Sequence, residues 1–171
     1  MRKYFWVGIC VILAAFAPLA SADSATGNTT VSVTVGPEAS LTVDTATTTL
    51  TTTGTVFNDY TGTTNLTYKI RTSTGSGSGS ITAQVQADFA TNGPSVAGGD
   101  LTYTCTVSSP GTACSQQTAS TSAATPVATF GADAHSADSG NSASTTWTLK
   151  NRPQIKTGTY SVTVTYTISA T

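Results

Sequence analysis

The only histidine of the chain, His135, lies among Asp133, Ser136, Asp138 and Ser139. A Ser–His–Asp hydrolase uses these residue types: the imidazole as base, a hydroxyl as nucleophile, a carboxylate to orient the ring. Such a triad is assembled from rigid, separate elements, whereas these residues share one Gly/Ser/Ala loop, so a solvated loop is the better reading. Asp133, Asp138 and Asn141 offer the oxygen ligands that calcium takes from loops, but their spacing is not that of an EF-hand loop. Gly75-Ser-Gly-Ser-Gly79 lacks the Lys-Ser/Thr ending of a phosphate cradle, and Gly77 occupies the place of a nucleophilic serine. A flexible connection explains it. Glycoside cleavage needs two acids flanking a cleft. Glu38 is the only glutamate, and most aspartates stand beside Gly or Asn, as turn residues do. Trp147, Tyr103, Tyr160 and Tyr166 could stack on sugars, yet they fall in phase with Leu and Val and read as core. Tyr60, in a turn, is the aromatic expected to be partly exposed. The Thr runs 47–49 and 51–53 suggest a hydroxyl lattice, but β-propensity explains them without an ice-binding surface. No catalytic residue, metal ligand or cofactor is assigned.

Cysteine chemistry is more definite. Cys10 falls in an N-terminal leader. Cys105 and Cys114 remain as an even pair, and two cysteines outside a C-x-x-C spacing make neither a zinc site nor a redox motif. An exported chain permits a disulfide between them. The leader is read from Arg2 and Lys3, the apolar run Val7–Ala17, and the small-x-small site Ala20-Ser21-Ala22. The run is shorter than the ~20 residues of a spanning helix, and Pro18 follows it. Residues 1–22 are therefore expected to be a cleaved signal peptide and 23–171 a single domain, with no membrane span after cleavage.

The remaining chain carries five basic and eight acidic residues, a net charge near −3. Without a Lys/Arg cluster it is a poor partner for nucleic acid or anionic membrane. Thr and Ser make up more than a third of it. Thr fits a pleated surface while its hydroxyl meets water, so the polar faces are built from hydroxyls, as suits an extracellular fibre or surface layer.

Period two dominates the elements that must position any site. From Thr157 to Thr171 the chain alternates throughout, with Tyr160, Val162, Val164, Tyr166, Ile168 and Ala170 on one face. Leu66, Tyr68 and Ile70 alternate within Thr64–Thr72, and Ile81, Ala83 and Val85 follow after the Gly/Ser connection. That pair reads as a long hairpin. Leu101, Tyr103, Cys105 and Val107 form another strand, 126–130 a short one, and Trp147 with Leu149 a further one. Val31, Val33 and Val35 alternate in Thr29–Gly36, and Leu41 and Val43 resume the pattern beyond Pro37-Glu38, which reads as a kinked first strand. Thr45–Thr53 is a weak strand, and 131–144 is loop. The expected fold is all-β: an antiparallel immunoglobulin-like β-sandwich of seven to nine strands, with a jelly roll as the alternative.

The ending from Gly158-Thr-Tyr160 to Ile168 resembles the closing strand of two families of exported bacterial β-sandwich. One is the WxL surface domain, which ends G-x-Y-x-A-x-(L/V)-x-W-x-L; here Tyr166 and Ile168 stand for Trp and Leu, and Trp147-Thr-Leu149 occurs one strand earlier. The other is the spore-coat-U type of fimbrial subunit, in which an N-terminal extension of alternating apolar residues donates a strand to the next subunit. Val31, Val33 and Val35 would be that donor, although the cysteine pair lies mid-chain and not near the N-terminus as is usual there. The resemblance implies a non-enzymatic structural or adhesive protein of a bacterial surface. Its partners would be further copies or other surface proteins, with a glycan-binding module as the alternative.

Overall fold

The computed structural model describes residues 24–171, so the expected signal peptide lies outside the described residues. The chain divides at Val33/Thr34. Residues 24–33 carry no helix or strand. The second unit, Thr34–Thr171, is a sandwich of nine strands: β1 (Glu38–Val43), β2 (Tyr60–Arg71), β3 (Gly79–Val85), β4 (Leu101–Val107), β5 (Thr112–Ala113), β6 (Gln117–Thr118), β7 (Thr125–Phe130), β8 (Asn141–Leu149) and β9 (Val164–Ala170). One sheet has the order β1-β2-β8-β4-β6 and the other β5-β7-β3-β9. Every pairing is antiparallel. The all-β, two-layer antiparallel architecture is the one the alternation predicts.

The core lies where the alternation places it. Leu66, Tyr68 and Ile70 of β2 face Ile81, Ala83 and Val85 of β3, and all six are buried. Tyr103 of β4 stands opposite Trp147 of β8, with ring centroids 4.8 Å apart. Across the layers the Tyr68 and Phe130 rings are 5.2 Å apart. Each buried phenol finds an acceptor: Tyr68 donates to the Ser108 carbonyl at 2.6 Å and Tyr103 to the Pro126 carbonyl at 3.0 Å. The Trp147 indole N–H donates to the Thr64 hydroxyl at 3.0 Å. Buried hydroxyls thus cost little, because each is hydrogen-bonded.

Cys105 of β4 and Cys114, just beyond β5, form the expected disulfide. It ties one sheet to the other on the flank where both edge strands are only two residues long.

Four local expectations are corrected. β2 and β3 are not a hairpin: they lie in different sheets, and 72–78 carries the chain from one layer to the other. Thr45–Thr53 forms no strand beyond a single bridge from Thr51 to Thr61. β8 begins at Asn141, inside the stretch expected to be loop. The closing strand, expected over Thr157–Thr171, is a strand only over Val164–Ala170, because its partner β3 is seven residues long; single backbone bonds at Thr163 and Thr171 extend the ladder by one residue at each end.

Candidate functional site

His135 is exposed and its Nδ1 lies 2.8 Å from the Asp133 carbonyl of its own loop. The Asp133 carboxylate accepts only a long contact, 3.5 Å, from the Thr74 hydroxyl. Imidazole and carboxylate are thus not coupled as a base and its orienter would be. Asn141 is occupied: its Oδ1 accepts the Ala137 N–H at 3.0 Å and its Nδ2 donates to the Ser109 carbonyl at 2.6 Å. Among the described residues no group of three His, Cys, Asp or Glu side chains lies close enough to hold a metal. Trp147 and Tyr103 are in the core, so neither offers a stacking face; Tyr160 and Tyr166 are half-buried, and so is Tyr60, at the start of β2.

The unusual chemistry lies at a sheet edge. Among the described strands β9 pairs with β3 alone and ends its sheet. The bonds Gln86 N–H to Thr163 O, 2.9 Å, and Thr171 N–H to Ser78 O, 2.8 Å, set the phase of that ladder. Residues 165, 167 and 169 therefore turn their backbone groups toward β3, and Val164, Tyr166, Ile168 and Ala170 turn theirs toward the open side. β1 repeats the pattern. The Asp44 N–H bonds the Asn65 carbonyl at 2.9 Å, which leaves the N–H and C=O groups of Ala39, Leu41 and Val43 pointing away from β2. β1 and β9 flank the same side of the sandwich without pairing.

The inward row of β9 is incompletely covered. Val164, Tyr166, Ile168 and Ala170, with Val162 just before the strand, pack on the core and are only partly buried. Outward stand Thr165, Thr167 and Ser169, with no charge and no proline on the strand. Natural edge strands are usually blunted by one or the other. Tyr166 anchors this edge to the opposite sheet, its hydroxyl 2.5 Å from that of the fully buried Thr145. Burial raises the Tyr166 pKa above 10.0, only partly offset by hydrogen bonds from Thr145, Thr64 and Trp147.

Val31, Val33 and Val35 form no strand, and they are 92%, 84% and 63% exposed. Period two is retained in the sequence of this segment, but no described strand pairs with it. The chain enters β1 through Gly36 and Pro37, where Arg71 holds it: its Nε donates to the Gly36 carbonyl at 2.8 Å and its Nη2 to Glu38 Oε2 at 3.1 Å. Two shallow clefts adjoin this corner. One, of about 280 Å³, lies between β1 and the 135–138 loop; the other, of about 360 Å³, is bordered by Val35, Pro37, Thr72 and Asp133. Alternation alone found the valine segment but could not tell a paired strand from an unpaired one. The charge-free, proline-free closing strand reads from the sequence as either a covered central strand or an edge left open, and it lies at an edge; the open edge of β1 had no sequence signal. No protein-family model matches this chain, and neither does any curated protein or solved structure.

Proposed function

We propose that this chain is a non-enzymatic, exported structural or adhesive protein of a bacterial surface, working as a fibre-type subunit that self-associates by strand addition. The observation that carries this reading is the unpaired segment Thr29–Gly36, whose three alternating valines are exposed to solvent. Exposed apolar side chains on a hydroxyl-rich stretch are a cost to an isolated monomer and an asset once a partner covers them. The acceptor has matching chemistry: free N–H and C=O groups beside a half-exposed apolar row on β9. Seven to eight extended residues span about 25 Å, so donor and edge agree in length. Main-chain bonds would supply affinity, and alternate side chains the register. The likeness of the closing strand to fimbrial subunits of the spore-coat-U type supports the same reading. Export, as read from residues 1–22, is compatible with the disulfide.

Deletion of Asp23–Gly36 tests it. The truncated chain should remain a folded monomer that no longer assembles, and a peptide of residues 24–36 should bind it. Unfolding on deletion would make the segment an ordinary part of the domain and end the proposal. Glycan binding is the second reading, but the aromatics it would use most readily, Trp147 and Tyr103, are buried.

A further inference from the structure

Residues 45–55 hold eight threonines in eleven positions. β-propensity does not account for them, because the stretch forms no strand. It continues the line of β1 along β2 and bulges there. Its ends are fixed: the Thr45 hydroxyl accepts the Asn65 N–H at 3.0 Å, and Thr51 and Thr61 exchange backbone bonds of 2.9 and 2.8 Å. Between these points the chain takes six steps, from Thr45 to Thr51, where β2 takes four, from Asn65 to Thr61. The surplus forms the bulge. On its inner side Leu50 packs against the core and the Thr48 hydroxyl lies 2.6 Å from that of Thr64. On its outer side Thr47, Thr49, Thr51, Thr52, Thr53 and Thr55 are exposed. Among the described residues only Thr52 of these six engages its hydroxyl, which accepts the Gly54 N–H at 3.3 Å. Thr104, Thr146, Thr165 and Thr167 are exposed too, but their backbone is held in a sheet ladder. A modifying enzyme must draw an acceptor and its flanking residues into its own active site, which a ladder resists and a loop permits.

We propose that the six outward threonines of this bulge are acceptors of O-linked sugar. The co-substrate is an activated sugar, esterified through its anomeric carbon to a phosphate carrier. The threonine Oγ attacks that carbon, and the new C–O bond forms as the bond to the phosphate oxygen breaks. The phosphate leaves with the bonding pair, and the hydroxyl proton passes to a base of the transferase. One C–O bond replaces another, so nothing is oxidised or reduced. A Ser/Thr-rich composition is the one that O-glycosylated stalks share, and sugars here would project from a sheet edge without displacing a core side chain. The modification rests on export as proposed above, and not on strand addition.

The test is the mass of the chain isolated from the cells that make it. Intact mass spectrometry should show it heavier than its polypeptide by whole sugar units, and base-catalysed β-elimination should remove the excess. Electron-transfer fragmentation, which keeps O-linked sugars in place, should map them to Thr47–Thr55 and find Thr104, Thr146, Thr165 and Thr167 bare. Single sugars on several threonines would mark a nucleotide carrier, and one constant oligosaccharide a lipid carrier; either supports the proposal. Expressed in the same cells, a variant with all six threonines replaced by Ala should lose the added mass yet unfold in urea and assemble as the parent does. The matching Ser variant should regain the mass, because its hydroxyls are acceptors too. A native chain with bare threonines would overturn the proposal; if residues 1–22 are also gone from that mass, export stands and only the sugar fails. Sugar spread equally over bulge and strand threonines would overturn it as well, since exposure and not the bulge would then select the acceptor. So would sugar found only outside residues 47–55.

Discussion

Replacing Val31, Val33 and Val35 together by Ser separates assembly from folding. In the monomer these side chains are 92%, 84% and 63% exposed, so their loss removes almost no packing. Folding stability should shift by no more than about 0.5 kcal/mol, as for surface changes generally. In the assembled state each valine would be buried against the inner row of β9, at about 1.5 kcal/mol apiece. The cost of ordering the segment is common to both sequences and cancels. The difference is about 4 kcal/mol, or about a thousandfold in the assembly constant. Light scattering coupled to size exclusion reads the assembly, and urea denaturation of the same samples reads the fold. An unfolding free energy lowered by more than about 1 kcal/mol would refute the reasoning, since the valines would then belong to the domain's own core. So would a variant that assembles like the parent.

Tyr166→Phe should cost about 1–3 kcal/mol in urea unfolding, because it leaves the buried Thr145 hydroxyl without its partner; Thr145→Val, which removes both halves of the problem when combined with it, should recover part of that loss. Replacing Cys105 and Cys114 by Ala opens a loop with a sequence separation of 9 and should lower stability by about 2–3 kcal/mol, an effect read equally by adding a reductant to the wild type. Desolvation raises the Asp88 pKa, but the N–H groups of Val96, Phe89 and Ala97 and the Ser95 hydroxyl outweigh it, so the net shift is downward from 3.8. A depressed folded pKa stabilises above the unfolded value and is lost as pH falls through the folded one, so the acid limb of a stability–pH curve should flatten in Asp88→Asn. Tyr68, Tyr103 and Tyr166 have pKa values raised by burial, so stability should hold below about pH 10 and fall above it, with phenolate absorbance rising only as the fold is lost.

Much of the sandwich was legible because the core uses large apolar residues at period two. Leu66, Tyr68, Ile70, Ile81, Val85, Leu101, Tyr103 and Trp147 fall inside as expected. What escaped did so for physical reasons. β8 begins with Ala143 and Thr145 inward, and a small residue and a buried hydroxyl look no different from loop composition. Seven Gly/Ser/Thr residues after β2 can turn back within one sheet or cross to the other, and composition does not choose. In Thr45–Thr53 threonine occupies both faces, so no phase exists to read, yet Thr48 reaches the Thr64 hydroxyl at 2.6 Å. The valine segment is the instructive case. Its alternation predicts a strand, but a strand also needs a neighbour, and the sequence of one copy says nothing about a neighbour that another copy would supply.

The disulfide flank has a bearing on uncontrolled growth. A sheet open on both edges can recruit strands indefinitely, which is how cross-β aggregates propagate. Here one flank ends in the two-residue strands β5 and β6, and the Cys105–Cys114 bridge beside them ties β4 to the residue after β5. In the proposed assembly a donated strand would meet the flank that lacks this bridge, where β9 ends its sheet. Loss of the bridge would loosen the second flank, so under the proposed assembly the same bond that steadies the fold would also keep ordered addition from becoming a ribbon.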